Sequence, residues 1–236
     1  MKDIYEPEYV EILFDRMSES YSRMNNITSF GFSEKWRKQC VSEVDIEKGK
    51  MVVDLMTGMG ECWKFILKKA DSKSKLIGLD FSYEMVQRAE KYRAKLKPHT
   101  IEILRENVFG NSIKDESADY VVSGFGLKTF NDNQLRKLAF EINRILKPNG
   151  KIALIDISVP KNKVLRIFYL FYLKNVIPLL GKLFLGNPEI YKMLGIYTQN
   201  FKNSEGVFQI FNNPNFEVEY LSYFFGCATG IKGRKI

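Results

Sequence analysis

The sequence predicts an α/β fold: a mostly parallel, seven-stranded sheet with helices on both faces, an N-terminal helical cap and a helical insertion before the last two strands. Three observations predict it. From Lys50 to Ile157 short apolar runs alternate with amphipathic stretches, the pattern of repeated βα units. A glycine-containing turn, Asp54-Leu55-Met56-Thr57-Gly58-Met59-Gly60-Glu61, sits directly between an apolar run and a helix candidate. The two C-terminal strand candidates follow one another with no helix between them, as an antiparallel hairpin would.

Each element follows from its local pattern. In residues 6–43, Val10, Leu13, Phe14, Met17, Tyr21 and Met24 recur at helical spacing, and a turn at Phe30-Gly31 leads to Ser33 as an expected helix cap. The strand candidates of the core are MVVDLM, KLIGLD, TIEIL, DYVVSG and KIALIDI, with helices expected over 61–70, 82–97 and 132–146. From Phe216 onward FEVEYLSYFF and ATGIKG are expected to close the sheet. The chain is thus expected to be one domain: a cap over 1–45, a cofactor-binding core over 46–160, an insertion over 161–213 and a strand pair over 214–236. In such a sheet the ligand lies at the carboxyl ends of the strands.

Length and composition narrow the function classes. The 236 residues suit a single large core. Cys40, Cys62 and Cys227 lie far apart and form no CxxC pair, and no His/Cys/Asp cluster has ligand spacing, so neither a disulfide framework nor a metal is expected. The amino-terminal MKDIYEPEYVEIL is acidic and lacks the apolar run of a secretory signal, so a cytoplasmic protein is expected. The net charge of +8 is spread over 36 Lys and Arg that cluster only at Lys232–Lys235, which argues against a nucleic-acid partner.

The insertion is the least ordinary stretch. VLRIFYLFYLKNVIPLLGKLFLG, residues 164–186, is strongly apolar, yet Arg166, Lys174, Pro178 and Lys182 interrupt it, which disfavours a spanning helix. A buried lid over the active site is the preferred reading, and a peripheral contact with a bilayer the alternative.

The chemistry centres on the glycine turn. Glycines let the backbone turn tightly and a ligand approach without a Cβ in the way. A dinucleotide site would place a third glycine three residues after Gly60, but Trp63 stands there. S-adenosyl-L-methionine suits the turn better. It carries an ammonium group and a sulfonium, and the Asp54 carboxylate can orient its amino-acid end. Twenty residues beyond Gly60, Asp80 closes the second strand, where a carboxylate accepts both ribose hydroxyls of an adenosine, while Ser82 is the better helix cap. After the third strand, Asn107 and Val108 stand where an adenine ring would meet an amide side chain and a backbone N–H.

With these residues in place, the sequence resembles the ubiquinone/menaquinone biosynthesis C-methyltransferase family over nearly its whole length. The matching segments include FDRMSESYSRMNNITSFG (14–31), VVDLMTGMGE (52–61), GLDFSYEM (78–85), GFGLKTF (124–130), RILKPNGKIALIDISVP (144–160) and FEVEYLSYFFGCATGIKG (216–233). The resemblance implies the Rossmann-like sheet of class I methyltransferases. It implies that Asp54, Met56, Thr57, Gly58, Gly60, Asp80, Phe81, Met85, Asn107, Val108 and Gly124 bind S-adenosyl-L-methionine. It also implies that Met24, Asn25, Phe125, Lys128 and Thr129 form the substrate pocket. The chain departs from the family at Thr57 (usually Gly), at Lys128-Thr129 (usually Arg-Asn) and at Gly195–Asn200, where an arginine-bearing stretch is usual.

The expected reaction is methyl transfer to a small aromatic, quinol-like or hydroxyaromatic molecule at carbon, which requires a neighbouring hydroxyl to lose its proton. Tyr21, Lys128 and Tyr191 are the polar candidates for catalysis; the single histidine, His99, falls at the wrong end of the sheet. Two alternatives stay open: O- or N-methylation of a secondary metabolite, and a non-catalytic cofactor-binding subunit of a biosynthetic complex. A homo-oligomer is compatible with either.

Overall fold

The computed structural model describes residues 3–19, 21–96, 100–185 and 188–236, with side chains omitted at 22, 23, 183–185 and 188–190; His99 lies outside the described residues. Three helices, α1 (Pro7–Met17), α2 (Tyr21–Thr28) and α3 (Phe32–Ser42), precede the sheet. The cap of α3 corrects the expectation for Ser33. Gly31, at φ +77°, is the N-cap, and Ser33 lies inside the first turn with its amide donating to Ser29 Oγ at 3.0 Å. A left-handed backbone at the entry selects glycine, which moves the cap two residues upstream.

The strands β1 (Met51–Leu55), β2 (Lys75–Asp80), β3 (Thr100–Arg105), β4 (Ala118–Gly124), β5 (Leu146–Ile157), β6 (Phe216–Tyr223) and β7 (Ala228–Lys235) form one sheet in the order β3-β2-β1-β4-β5-β7-β6. Only β7 runs antiparallel, pairing with β5 and β6. β5 begins five residues earlier than predicted: Leu146 already pairs with Ala118, and Asn149, at φ +64°, accompanies a register shift before Tyr120 meets Lys151. β6 stops two residues short of the prediction, because Phe224, Phe225 and Gly226 all have positive φ and turn the chain.

Helices α4 (Trp63–Ile66), α5 (Tyr83–Arg93) and α6 (Asp132–Ile145) connect the core strands. The ten-residue helix expected over 61–70 is a single turn. The chain must reverse into β2 at once, and the Asp71 carboxylate organises that reversal by accepting the amides of Gly49, Lys73 and Ser74. By contrast α6 falls only one residue short of the prediction, held at its start by a reciprocal capping box between Asn131 and Gln134.

Side chains alternate across the strands and so build two cores. Val53 and Leu55 pack with Leu138 and Ile142 of α6, while Val52 packs on the other face with Val41 of α3 and Ala89 of α5. Asp54 shares Val52's face at the carboxyl end of β1. There the strand order reverses between β1 and β4, opening the crevice that α/β sheets use for ligands.

The insertion forms α7 (Lys163–Phe171), a π-helical turn over Tyr172–Val176, α8 (Ile177–Leu185), α9 (Pro188–Phe201) and α10 (Glu205–Phe211). It is bound to the N-terminal helices by specific hydrogen bonds. Tyr197 donates to the Ile4 carbonyl at 2.5 Å, and Tyr172 to the Thr28 carbonyl at 2.8 Å. The altered stretch Gly195–Asn200 therefore has a local role: Asn200 also reaches the Tyr5 hydroxyl at 3.2 Å.

Candidate active site

Two cavities meet at the carboxyl end of the sheet. The first encloses about 860 Å³ including its mouth and is lined by every predicted cofactor residue except Gly60. Gly60 instead serves packing: it sits at φ +84°, and a Cβ there would lie 2.5 Å from the Trp63 ring. Trp63 takes the space that a third fingerprint glycine would leave open. Gly78 makes room for it from the neighbouring strand, where a Cβ would approach the ring to 2.7 Å.

Asp54 is fully buried. Its Oδ2 accepts a 2.5 Å hydrogen bond from Thr57 Oγ1, and that hydroxyl in turn accepts from the Trp63 indole at 2.8 Å. Asp54 Oδ1 is buried without a hydrogen-bond partner. Burial pushes the Asp54 carboxyl up to about 7, against the lowering effect of the Thr57 hydrogen bond. An orphaned carboxylate oxygen lining a cleft is a built demand for a donor or a cation.

Asp80 binds the turn from the next strand. Its Oδ2 accepts the Gly58 amide at 2.8 Å and its Oδ1 the Ser82 amide at 3.0 Å. Burial raises its carboxyl to about 6, although both amides favour the charged form. Ser82 caps α5, as expected, by accepting the Met85 amide, and it also donates to Asp15 Oδ1 at 2.6 Å, tying α1 over the cleft. Asn107 uses its carboxamide oxygen to accept the Phe109 amide. Backbone strain marks both strand ends: Met56 after β1 and Phe125 after β4 have φ of +51° and +77°.

The second cavity lies between the N-terminal helices and the insertion, encloses about 1350 Å³ including its mouth, and is walled mainly by aromatic and aliphatic side chains. Phe14, Tyr21, Phe125 and Thr129 line both cavities, so the two communicate there. Among the predicted substrate-pocket residues, Asn25, Phe125, Lys128 and Thr129 line the second cavity. Met24 does not; it is buried in the core of the cap, and its carbonyl accepts the Thr28 hydroxyl.

Of the three catalytic candidates, the structure brings two to the cavities. Tyr21 stands where they join. Its hydroxyl is pushed up to about 12 by burial and by Glu61, against lowering from Arg37 and from a hydrogen bond with Asn25. Lys128 is buried, with Nζ 3.1 Å from Asp156 Oδ1 and its backbone amide donating to Asp156 Oδ2 at 2.8 Å. Tyr191 lines neither cavity, and its ring packs where a Cβ on Gly181 would lie 2.5 Å away.

Sequence reasoning missed Arg37 and Asp156. Arg37 is buried at the cofactor cleft, 3.6 Å from Glu61 and 4.7 Å from the centre of the Phe125 ring. Its only sequence signal was a cation on the apolar face of α3. Asp156 lies one residue before the end of the apolar strand β5, where nothing in the local pattern singles it out.

The lid expectation needs a correction. Leu173 and Ile177 do fold down over the second cavity. Val164, Ile167, Phe168 and Phe171 on α7 face outward, each more than 60% exposed. The inner face of the same helix, Leu165 and Tyr169, is the side that lines the cavity.

Comparison with known proteins agrees with this geometry. Residues 1–235 match the ubiE/COQ5 methyltransferase family. The chain is 31% identical over 230 residues to a demethylmenaquinone methyltransferase of a Geobacillus species, covering 97% of each chain. It is 33% identical over 230 residues to the one of Staphylococcus saprophyticus, again covering 97% of each. Among solved structures, a SAM-dependent methyltransferase from Aquifex aeolicus superposes with a TM-score of 0.60 at 18% identity, covering 85% of this chain and 89% of that one. A Methanococcus maripaludis chain described as a putative S-adenosyl-L-methionine-dependent methyltransferase gives 0.61 at 20% identity and 94% coverage of both. The cyclase SpnF gives 0.64 at 10% identity, covering 97% of this chain and 95% of its own, so this fold alone does not specify methyl transfer. The full-length family match does: the chain belongs to the ubiE/COQ5 methyltransferase family and is an S-adenosylmethionine-dependent methyltransferase.

Proposed function

We propose that the chain methylates a ring carbon of a hydroxylated, quinol-like aromatic seated in the second cavity. The observation that carries this reading is the junction, at Phe14, Tyr21, Phe125 and Thr129, of a cleft that holds Asp54, Asp80 and Asn107 with a cavity walled by aromatic and aliphatic side chains. S-adenosylmethionine, when bound, supplies an electrophilic methyl group. The orphaned Asp54 Oδ1 would hold its ammonium end, Asp80 its ribose, and Asn107 with the Val108 amide its adenine. The relatives named demethylmenaquinone methyltransferases support a quinol as the acceptor.

The side chains at the junction have separable jobs. Phe125 presents its face to Arg37 on one side and lines both cavities, so it can stack on an aromatic substrate. Tyr21, with its hydroxyl near 12, stays protonated at neutral pH and therefore donates a hydrogen bond to a substrate oxygen; it is not the base. The Lys128 ammonium, anchored by Asp156, favours an aryloxide over the neutral phenol at the cavity floor. Loss of the phenolic proton to water leaves an aryloxide whose ortho carbon is nucleophilic, the chemical requirement for transfer to carbon, and loss of the hydrogen on that carbon, also to water, would restore the aromatic ring after transfer.

The test is product formation with isotope-labelled cofactor on naphthoquinols, benzoquinols and catechols, with the methylated atom assigned by NMR. Carbon methylation of a quinol is the expected result. Methylation confined to oxygen or nitrogen, or no turnover of any quinol, would overturn the reading.

A further inference from the structure

We propose that the outer face of α7, together with Phe30 and the Phe224-Phe225 turn, docks the enzyme on an anionic lipid bilayer and opens the second cavity towards it. This deepens the function proposed above, because an acceptor with an apolar tail would enter from lipid. Helix α7 is apolar on both faces. Leu165 and Tyr169 face the cavity, while Val164, Ile167, Phe168 and Phe171 are exposed. Lys163 and Arg166 interrupt the apolar surface of this helix along one edge only; an apolar arc as wide as the rest is normally covered by protein or lipid, and protein covers only its inner side.

The neighbouring exposed aromatics join the same rim. Phe30, 80% exposed and strained at φ +50°, stacks beside Tyr172 at 6.1 Å between ring centres. Phe224, also at positive φ, packs against Phe32 at 4.4 Å and against Phe225, which is 78% exposed. Phe30, Tyr172, Phe32 and Phe224 all line the second cavity, so the exposed rim is continuous with that cavity's wall. Backbone strain holding three phenylalanines outward is difficult to reconcile with a surface meant for water.

The charge around the rim commits the occupant. Between Asp156 and Glu189 the chain has five cations, Lys161, Lys163, Arg166, Lys174 and Lys182, and no carboxylate. Lys161 is engaged by Glu205; Lys163, Arg166 and Lys174 are exposed. Aromatic and aliphatic side chains flanked by cations match the headgroup region of an anionic membrane, with the cations reaching phosphate while the rings enter the acyl boundary.

Flotation of the full chain with phosphatidylcholine vesicles, with and without phosphatidylglycerol, tests the proposal. Binding is expected to require phosphatidylglycerol. The variant Ile167→Ser/Phe168→Ser/Phe171→Ser, which keeps the net charge, should bind about 100-fold more weakly. Its affinity for S-adenosylmethionine by calorimetry should be unchanged, which reports an intact fold. The control Arg136→Glu/Lys137→Glu, exposed on α6, should retain binding. The proposal is overturned if the wild type ignores anionic vesicles or the serine variant binds as the wild type does. It is equally overturned if sedimentation shows a dimer that the serine variant dissociates, since a second copy would then cover the face. Carbon methylation of a tailed quinol in detergent without vesicle binding would leave the proposed reaction standing and overturn this inference alone.

Discussion

Asp54→Asn should stabilise the cofactor-free protein at pH 8 and weaken cofactor binding, with both effects shrinking as pH falls. Asp54 has a folded-state value of about 7, raised first by burial, against 3.8 for the ordinary side chain. A carboxyl raised on folding contributes stability that is fully present below about pH 4 and lost as pH rises through 7. At pH 8 the native state therefore holds a buried charge with one oxygen unpartnered. A difference of about three units corresponds to at most roughly 4 kcal/mol of destabilisation that a neutral amide would relieve. Asparagine keeps the shape, and its carboxamide oxygen can still accept the Thr57 hydroxyl. Denaturant melts at pH 8 and pH 5 measure the first effect: the variant should gain stability at pH 8 and lose most of that advantage by pH 5, the rest disappearing only near pH 4. Calorimetry measures the second. Wild-type affinity should fall about tenfold from pH 8 to pH 6, because an ammonium ligand requires the carboxylate and protonation competes with it. A variant less stable than wild type at pH 8, or a wild-type affinity that is flat over this range, would refute the assignment of Asp54 as the cation-binding group.

Asp80→Ala should weaken cofactor binding by about 1–3 kcal/mol, and it should also lower the melting temperature, since the amides of Gly58 and Ser82 lose their acceptor. Calorimetry and thermal melts read the two effects separately. Lys128→Met leaves Asp156 charged and buried, and should cost about 3–5 kcal/mol of stability; adding Asp156→Asn should restore much of it without restoring turnover. Gly60→Ala is expected to destabilise by about 1–3 kcal/mol, because its Cβ would meet the Trp63 ring at 2.5 Å on a left-handed backbone. Chelator should leave cofactor binding unchanged: among the described residues no group of three His, Cys, Asp or Glu could hold a metal.

The features legible in the sequence were those that repeat locally. β1 to β4 ran as alternating or continuous apolar segments, and the spacing from Gly60 to Asp80 placed a carboxylate at the end of β2 beside the glycine turn. What the sequence hid depends on neighbours distant in the chain. Asp15 caps α5 from α1, and Gln134 of α6 donates to the Tyr5 carbonyl at 2.9 Å; neither pairing leaves a periodic trace. The direction of α7 was hidden for a related reason. Its most apolar arc, Val164, Ile167, Phe168 and Phe171, is the one left exposed, so the local pattern favours burying the wrong side, and the carbonyls of Thr28 and Cys227, which accept from Tyr172 and Tyr169, decide which side turns inward.

The departures from the family at the glycine turn have the same character. Thr57 stands where glycine is usual in the family, at a loop expected to keep its cofactor. In the structure its hydroxyl donates to Asp54 and accepts from Trp63, and its methyl group lies near the position a Cβ on Gly78 would occupy, at 3.2 Å. The threonine, the tryptophan and the two glycines are thus one packing solution: Gly60 and Gly78 admit the indole, the indole N–H needs an acceptor, and Thr57 supplies it while fixing one oxygen of Asp54. The other oxygen is left to the ligand. Thr57→Gly would remove that relay, leaving both a buried indole N–H and Asp54 Oδ2 unpaired at about 1–3 kcal/mol each. It should therefore destabilise this chain although it restores the family's usual residue. A Thr57→Gly protein as stable as wild type in denaturant melts would show that the hydroxyl is incidental and that the loop tolerates either residue.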